Sequence, residues 1–232
     1  MKRVSLHLSA KTKENINMPK KEIELRLQSK EDLDRIQALP RGFYLQDTFA
    51  CLRQCLGKLL VTNLEGEVTA GRIVEAEAYI GGIDKASHSY KGKRTPRTEI
   101  QFGVGGHAYI FQVHTHQQFC FVTGGENISD VVLVRAIEPV VGIDTMKQRR
   151  PVDSVKLLGN GPGKLCKSLG ITKDLYGQDL TISENIWLAD DGYIALDENI
   201  VQTQRVGIDY AEEYKDMSWR YYINDSPFVS KK

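Results

Sequence analysis

Between Glu67 and Tyr79 the chain reads as one long strand, and the end of that strand sets a problem any fold must solve. A strand alternates faces, so Glu75, Glu77 and Tyr79 project to one side while Val74, Ala76 and Ala78 project to the other. One face belongs in a core; the other carries two carboxylates and a phenol. Two outcomes are open from the pattern. The carboxylates stay in water on a half-buried strand, or a carboxylate is held beside an aromatic ring at the lip of a pocket. A second strand, Val131–Ile137, bears on the choice because it is apolar except for Arg135. An arginine there is costly unless paired. Glu138 offers it a structural partner and Glu77 a chemical one.

The flanking sequence supplies short elements at regular intervals. Asp47 caps a predicted helix that runs through Leu56 and stops at Gly57. Strands follow at Leu59–Thr62 and Glu67–Tyr79, joined by a turn over Asn63–Gly66, and then at Ala108–Val113 and Phe119–Thr123 around the polar stretch His114–Gln118. Ile143–Arg150 reads as a short helix. Residues 161–170 read as another, with proline near its start and glycine at its end. Short strands continue to Val229. Residues 1–42 differ: they are rich in Lys and Glu and contain no aromatic, with one short helix expected over Glu31–Leu39. They read as a weakly structured leader before a domain spanning 43–232. No repeat, low-complexity tract or linker divides that region, so the expected class is α+β in a single compact domain.

Composition narrows the partners. The formal net charge is only +1, so any nucleic-acid surface must come from uneven placement of cations. Cys51, Cys55, Cys120 and Cys166 show neither CxxC pairing nor zinc-ligand companions, which fits structural thiols in a reducing compartment. No apolar run approaches the ~18–20 residues of a membrane span. The expectation is a cytoplasmic protein with no membrane partner.

Two loops hold further candidates. Asp84–Tyr90 contains His88 and leads into Lys91, Lys93, Arg94 and Arg97. Such cations are a solvated surface or a set of phosphate contacts, since closely spaced charges suit consecutive phosphates. His114 and His116 lie two apart at a hairpin tip, but without a carboxylate or cysteine companion they make a weak ligand set, and no metal is expected.

Six stretches, taken in order, resemble the alkyladenine (3-methyladenine) DNA glycosylase family: GRIVEAEAY (71–79), ASHS (86–89), RTPRTEI (94–100), LVRAIEP (133–139), NGPGKLCKSLGI (160–171) and WRYYINDSPFVS (219–230). The resemblance covers Phe43 to Val229. It implies a curved antiparallel β-sheet flanked by short helices, no cofactor, and a monomer acting on double-stranded DNA that contains damaged purines. It implies roles by position. Glu77 matches the general base, and Arg135 the arginine that helps hold the attacking water. Tyr79 and His88 match residues on one face of the flipped base, Phe111 an aromatic on the other, and the main chain around Ala86–His88 a segment that bonds the base edge. Lys93 and Thr95 match phosphate-binding positions, with Arg94 and Arg97 in the same run.

Two positions depart from the family. The hairpin tip His114–His116 stands where animal members place a wedging tyrosine, and Cys120 aligns with a pocket asparagine. The reaction this implies is monofunctional base excision that leaves an abasic site. The alternative is a non-catalytic nucleic-acid-binding module on the same fold.

Overall fold

A computed structural model describes residues 37–232 of the chain. Its frame is an open sheet of eight antiparallel strands: β1 (Leu59–Leu64), β2 (Glu67–Tyr79), β3 (Ala108–Val113), β4 (His116–Thr123), β5 (Asp130–Val141), β6 (Ile186–Ala189), β7 (Ile200–Thr203) and β8 (Arg220–Ile223). The order is β3-β4-β5-β2-β1-β6. The long β2 pairs with β1 along its first half; at Glu75–Glu77 it pairs with β8, and β7 lies outside β8. The α+β class read from the sequence is the one observed.

Among the described residues five α-helices complete the frame: α1 (Arg41–Tyr44), α2 (Thr48–Cys55), α3 (Ile143–Arg149), α4 (Lys156–Gly159) and α5 (Pro162–Leu169). Asp47 caps α2 as its sequence predicts, accepting from the amides of Phe49 and Ala50 at 2.9 and 3.2 Å. Proline opens α5, and Gly170 closes it at φ 70°, a left-handed conformation glycine adopts without strain.

The boundaries shift where hairpins tighten. The β1–β2 turn shrinks to Glu65 and Gly66, both at positive φ, because a two-residue loop of that hand matches strand twist. The polar stretch expected to link β3 and β4 is mostly strand; only His114 and Thr115 form the turn. Of the helix expected over Glu31–Leu39, residues 31–36 lie outside the described residues. Ala38 bridges Ala189 and Leu39 is buried in the core, so that part is extended.

The sheet has two differently used faces. Helices α2 and α5 cover one, where Leu52, Leu165 and Leu169 pack against Ala76, Ala78, Phe119, Phe121, Val132 and Val134. Cys51, Cys55 and Cys166 belong to this core, and burial pushes the Cys51 thiol up to about 12. On the opposite face a second cluster forms from Tyr109, Cys120, Val122, Val131 and Leu133, with Tyr79 and Phe111 against it. The chemistry of the chain is gathered on that second face.

Candidate active site

Two offset irregularities aim the charged groups. Ile73 pairs with Ile137 but Glu75 with Ala136, so Val74 is an extra residue in β2. Glu75 then pairs with Ala136 and Ala76 with Val134, which makes Arg135 the extra residue in β5. A bulge bends its strand and re-aims a side chain. Here the second bulge turns the guanidinium toward the carboxylates of β2.

Glu77 is fully buried. Its Oε2 accepts from Tyr79 Oη at 2.8 Å and from Arg135 Nη1 at 3.3 Å, and its Oε1 accepts from the Val206 amide at 2.8 Å. Glu75 is equally buried, so the reading of these carboxylates as solvated is corrected. The structural partner of Arg135 turns out to be Glu75, which accepts from Arg135 Nε at 2.9 Å, Arg220 Nη1 at 3.0 Å and the Ser230 amide at 2.6 Å. Two carboxylates thus meet two guanidiniums beneath the surface, each with hydrogen bonds to spare, the condition under which buried charge is tolerated. Burial opposes the charge on Arg135, but Glu77 and Glu75 outweigh it and leave its pKa raised. Burial, and then the charge of Glu77, hold the Tyr79 phenol well above its ordinary value.

Aromatic side chains and His88 stand beside this network. His88 meets Phe111 edge-on, with centroids 4.7 Å apart, and its Nδ1 lies 2.7 Å from Tyr109 Oη. Burial, helped by the charge of Arg97, lowers the His88 pKa to about 4, so the imidazole is neutral near pH 7. Cys120 is buried on the Tyr79 side of the sheet, while its neighbours Phe119 and Phe121 face the helices. The structure therefore brings together Glu77, Arg135, Tyr79, His88, Phe111 and Cys120.

A strap over residues 204–219 closes the arrangement, and nothing near Glu77 in the sequence signals it. Arg205 and Asp84 form a fully buried ion pair; the guanidinium also donates to the Ala78 carbonyl at 3.0 Å and the Tyr214 carbonyl at 3.2 Å. It lies 4.6 Å from the Tyr79 ring centroid and 5.0 Å from that of Trp219. Asp84 in turn accepts from the Ala86 amide at 2.9 Å, which fixes the start of the Ala86–His88 segment. Ala86, Ile208 and Ala211 pack together against Tyr79. The pair joins residues 121 positions apart, so only tertiary structure reveals it.

The basic loop lies at the rim. Lys93, Arg94 and Arg97 are exposed. Arg94 is engaged locally: it donates to Glu99 at 2.9 Å and to Asn127 at 2.5 Å, and it covers the Phe102 ring. The Thr95 hydroxyl sits 3.1 Å from that of Thr98, within a turn. His114, at φ 52°, and His116 are exposed on the β3–β4 hairpin. Among the described residues no three His, Cys, Asp or Glu side chains gather as metal ligands, and no helix is long and apolar enough to cross a membrane.

The model of the methylpurine-DNA glycosylase family matches residues 42–227 of this chain. A protein of Desulfitobacterium hafniense (strain Y51) is 46% identical over 206 residues, covering 85% of this chain and 100% of its own length. One from Clostridium perfringens (strain 13 / Type A) is 44% identical over 203 residues, covering 84% and 99%. A third, from Natranaerobius thermophilus, is 43% identical over 191 residues, covering 81% and 96%. Each of the three bears the name "Putative 3-methyladenine DNA glycosylase".

Proposed function

Because this chain belongs to the methylpurine-DNA glycosylase family, we propose that it excises alkylated purines from duplex DNA by hydrolysing the bond between base and deoxyribose. The observation that carries the reading is the buried Glu77 carboxylate, 3.3 Å from Arg135 and on the aromatic face of the sheet. A damaged nucleotide swings out of the stack at a cost of a few kcal/mol, less where pairing is already weakened. Its base enters between Tyr79 and His88 on one side and Phe111 on the other, with the Ala86–His88 main chain along its edge. Water adds to C1′ as the C1′–N bond breaks. Glu77 takes the water's proton, Arg135 helps hold the water, and the bonding electron pair leaves with the purine. The developing oxocarbenium charge is stabilised by the same carboxylate.

A 3-methylated adenine is already cationic and departs neutral, so no general acid is required. Electron-rich ring faces favour such a base over neutral adenine by roughly 1–2 kcal/mol. One face of Tyr79 is occupied by the Arg205 cation, so Phe111 supplies the larger part of that preference. 7-Methylguanine, hypoxanthine and ethenoadenine are the further substrates this site would take. Lys93, Arg94, Thr95 and Arg97 meet the phosphates, with His114 and His116 at the gap left by the base. The protein works as a monomer, since the DNA must reach an open face.

Single-turnover excision from a duplex carrying 3-methyladenine tests the proposal. Glu77→Gln should retain duplex binding within a few-fold yet lose at least ~10²-fold in rate, the scale of a lost general base. Near-normal turnover in that variant would sink the mechanism, and a wild-type protein that binds but never excises would leave only the non-catalytic binding module.

A further inference from the structure

Tyr109 has no part in the reaction just described, yet its hydroxyl is buried in the middle of the aromatic cluster. It stands two residues before Phe111 on β3, 1% exposed, with its ring stacked on Phe111 at 5.2 Å and its Oη 2.7 Å from His88 Nδ1. The side chain of Gln101, also 1% exposed, stands near the same hydroxyl and opposes the rise in its pKa. Its own Oε1 has no partner among the described residues.

The proton count favours one direction for this bond. Burial holds the Tyr109 phenol far above its ordinary pKa, so the group keeps its single proton. His88 is neutral near pH 7, so its ring has one N–H and one bare nitrogen. A buried O–H requires an acceptor. Were Nδ1 protonated, it and the Tyr109 hydroxyl would both present hydrogens across 2.7 Å, or the phenolic proton would need another acceptor, and among the described residues no hydrogen bond supplies one. A bare Nδ1 gives the phenolic proton its acceptor and satisfies both groups.

We propose that Tyr109 is a positioning residue whose hydroxyl donates to His88 Nδ1 and locks the imidazole as its Nε2–H tautomer, so that His88 offers a hydrogen-bond donor, not an acceptor, to a nucleotide held beside it. The recognised partner is then an acceptor: a carbonyl oxygen, a bare ring nitrogen or a phosphate oxygen. An exocyclic amino group in that place is disfavoured, since donor would face donor. This rests on reading His88 as part of the base site, but the tautomer itself can be measured without any substrate.

Long-range proton–nitrogen NMR of the labelled protein at pH 7, with His88 assigned by its loss in His88→Gln, reads the tautomer directly. The expected wild-type signal has Nε2 protonated and Nδ1 bare, and Tyr109→Phe should give a mixture. A wild-type Nδ1–H signal would overturn the proposal, because the Tyr109 hydroxyl would then accept that bond and leave the imidazole's Nε2 bare. An unchanged spectrum in Tyr109→Phe would overturn it as well. Single-turnover excision supplies the second readout. A glutamine amide can stand in for the imidazole Nε2–H, whereas an asparagine amide reaches only the Nδ1 position. His88→Gln should therefore keep several-fold more excision than His88→Asn. Tyr109→Phe should slow the wild type several-fold and have no further effect in the His88→Gln background. Equal losses in the two His88 variants, or additive losses in the double variant, would overturn the functional half. Wild-type protein with the expected tautomer but no excision of any damaged base would instead remove the proposed function.

Discussion

Replacing Glu75 with glutamine isolates the most costly feature of the site. The carboxylate is fully buried, with Arg135 and Arg220 both donating to Oε1 and the Ser230 amide donating to Oε2. In Glu75→Gln one of these positions becomes an NH2 group. Whichever way the amide turns, a donor meets either two guanidiniums or a main-chain N–H. The charge balance changes too, because Arg135 and Arg220 are left with Glu77 as the one remaining carboxylate of the network. Removing one partner of a buried ion pair costs about 3–5 kcal/mol, which is a large part of a typical domain's ~5–15 kcal/mol. At about 2–4 °C per kcal/mol for a chain of this size, the melting temperature should fall by roughly 6–20 °C. Calorimetry on wild type, Glu75→Gln and Glu77→Gln measures the fall, and single-turnover excision is then read where all three are folded. Glu75→Gln should also slow excision, since Arg135 loses its anchor, but by less than Glu77→Gln. A fall in melting temperature of under about 2 °C would refute the reasoning, because an uncompensated buried guanidinium cannot be that cheap.

Three other expectations concern the rim, the pocket and pH. Neutralising Lys93 and Arg94 together should weaken binding to damaged and undamaged duplex alike and lower the log–log salt slope by about 0.9 for each phosphate left without its cation; an unchanged slope would show that neither side chain meets a phosphate. Cys120→Asn adds a bulkier amide on the face that holds Tyr79 and Phe111, and the ratio of 3-methyladenine to 3-methylguanine excision should rise several-fold, within the roughly 10–200-fold range of a single steric check. A ratio that does not move would place Cys120 outside the pocket. The His88 pKa is lowered from 6.5 to about 4, so below pH 6.5 the unfolded chain binds a proton that the folded chain refuses. Stability is therefore lost as pH falls from about 6.5 toward 4. Melting curves across that range should fall more steeply for wild type than for His88→Gln, and parallel curves would contradict the buried, neutral imidazole.

Local pattern by itself determined much of this protein. Apolar alternation delimited β2 and β3, Asp47 and Pro162 marked the starts of α2 and α5, and an arginine inside the apolar β5 announced a buried carboxylate partner. These features depend on neighbours within a few residues, where periodicity and capping act. The alternation of β3 also puts Tyr109 on the face of Phe111. Tertiary structure alone decided which carboxylates were buried and what met them. Strand alternation put Glu75 and Glu77 on one face, but whether that face was wet depended on Arg220, Ser230 and Val206, each more than 120 residues away. The bulge that turns Arg135 inward is a mismatch between two strands and belongs to neither sequence alone. The Asp84–Arg205 pair beneath Tyr79 was equally invisible, because an ion pair is recognisable only when both partners leave water at the same point, and that point exists only after the chain has folded.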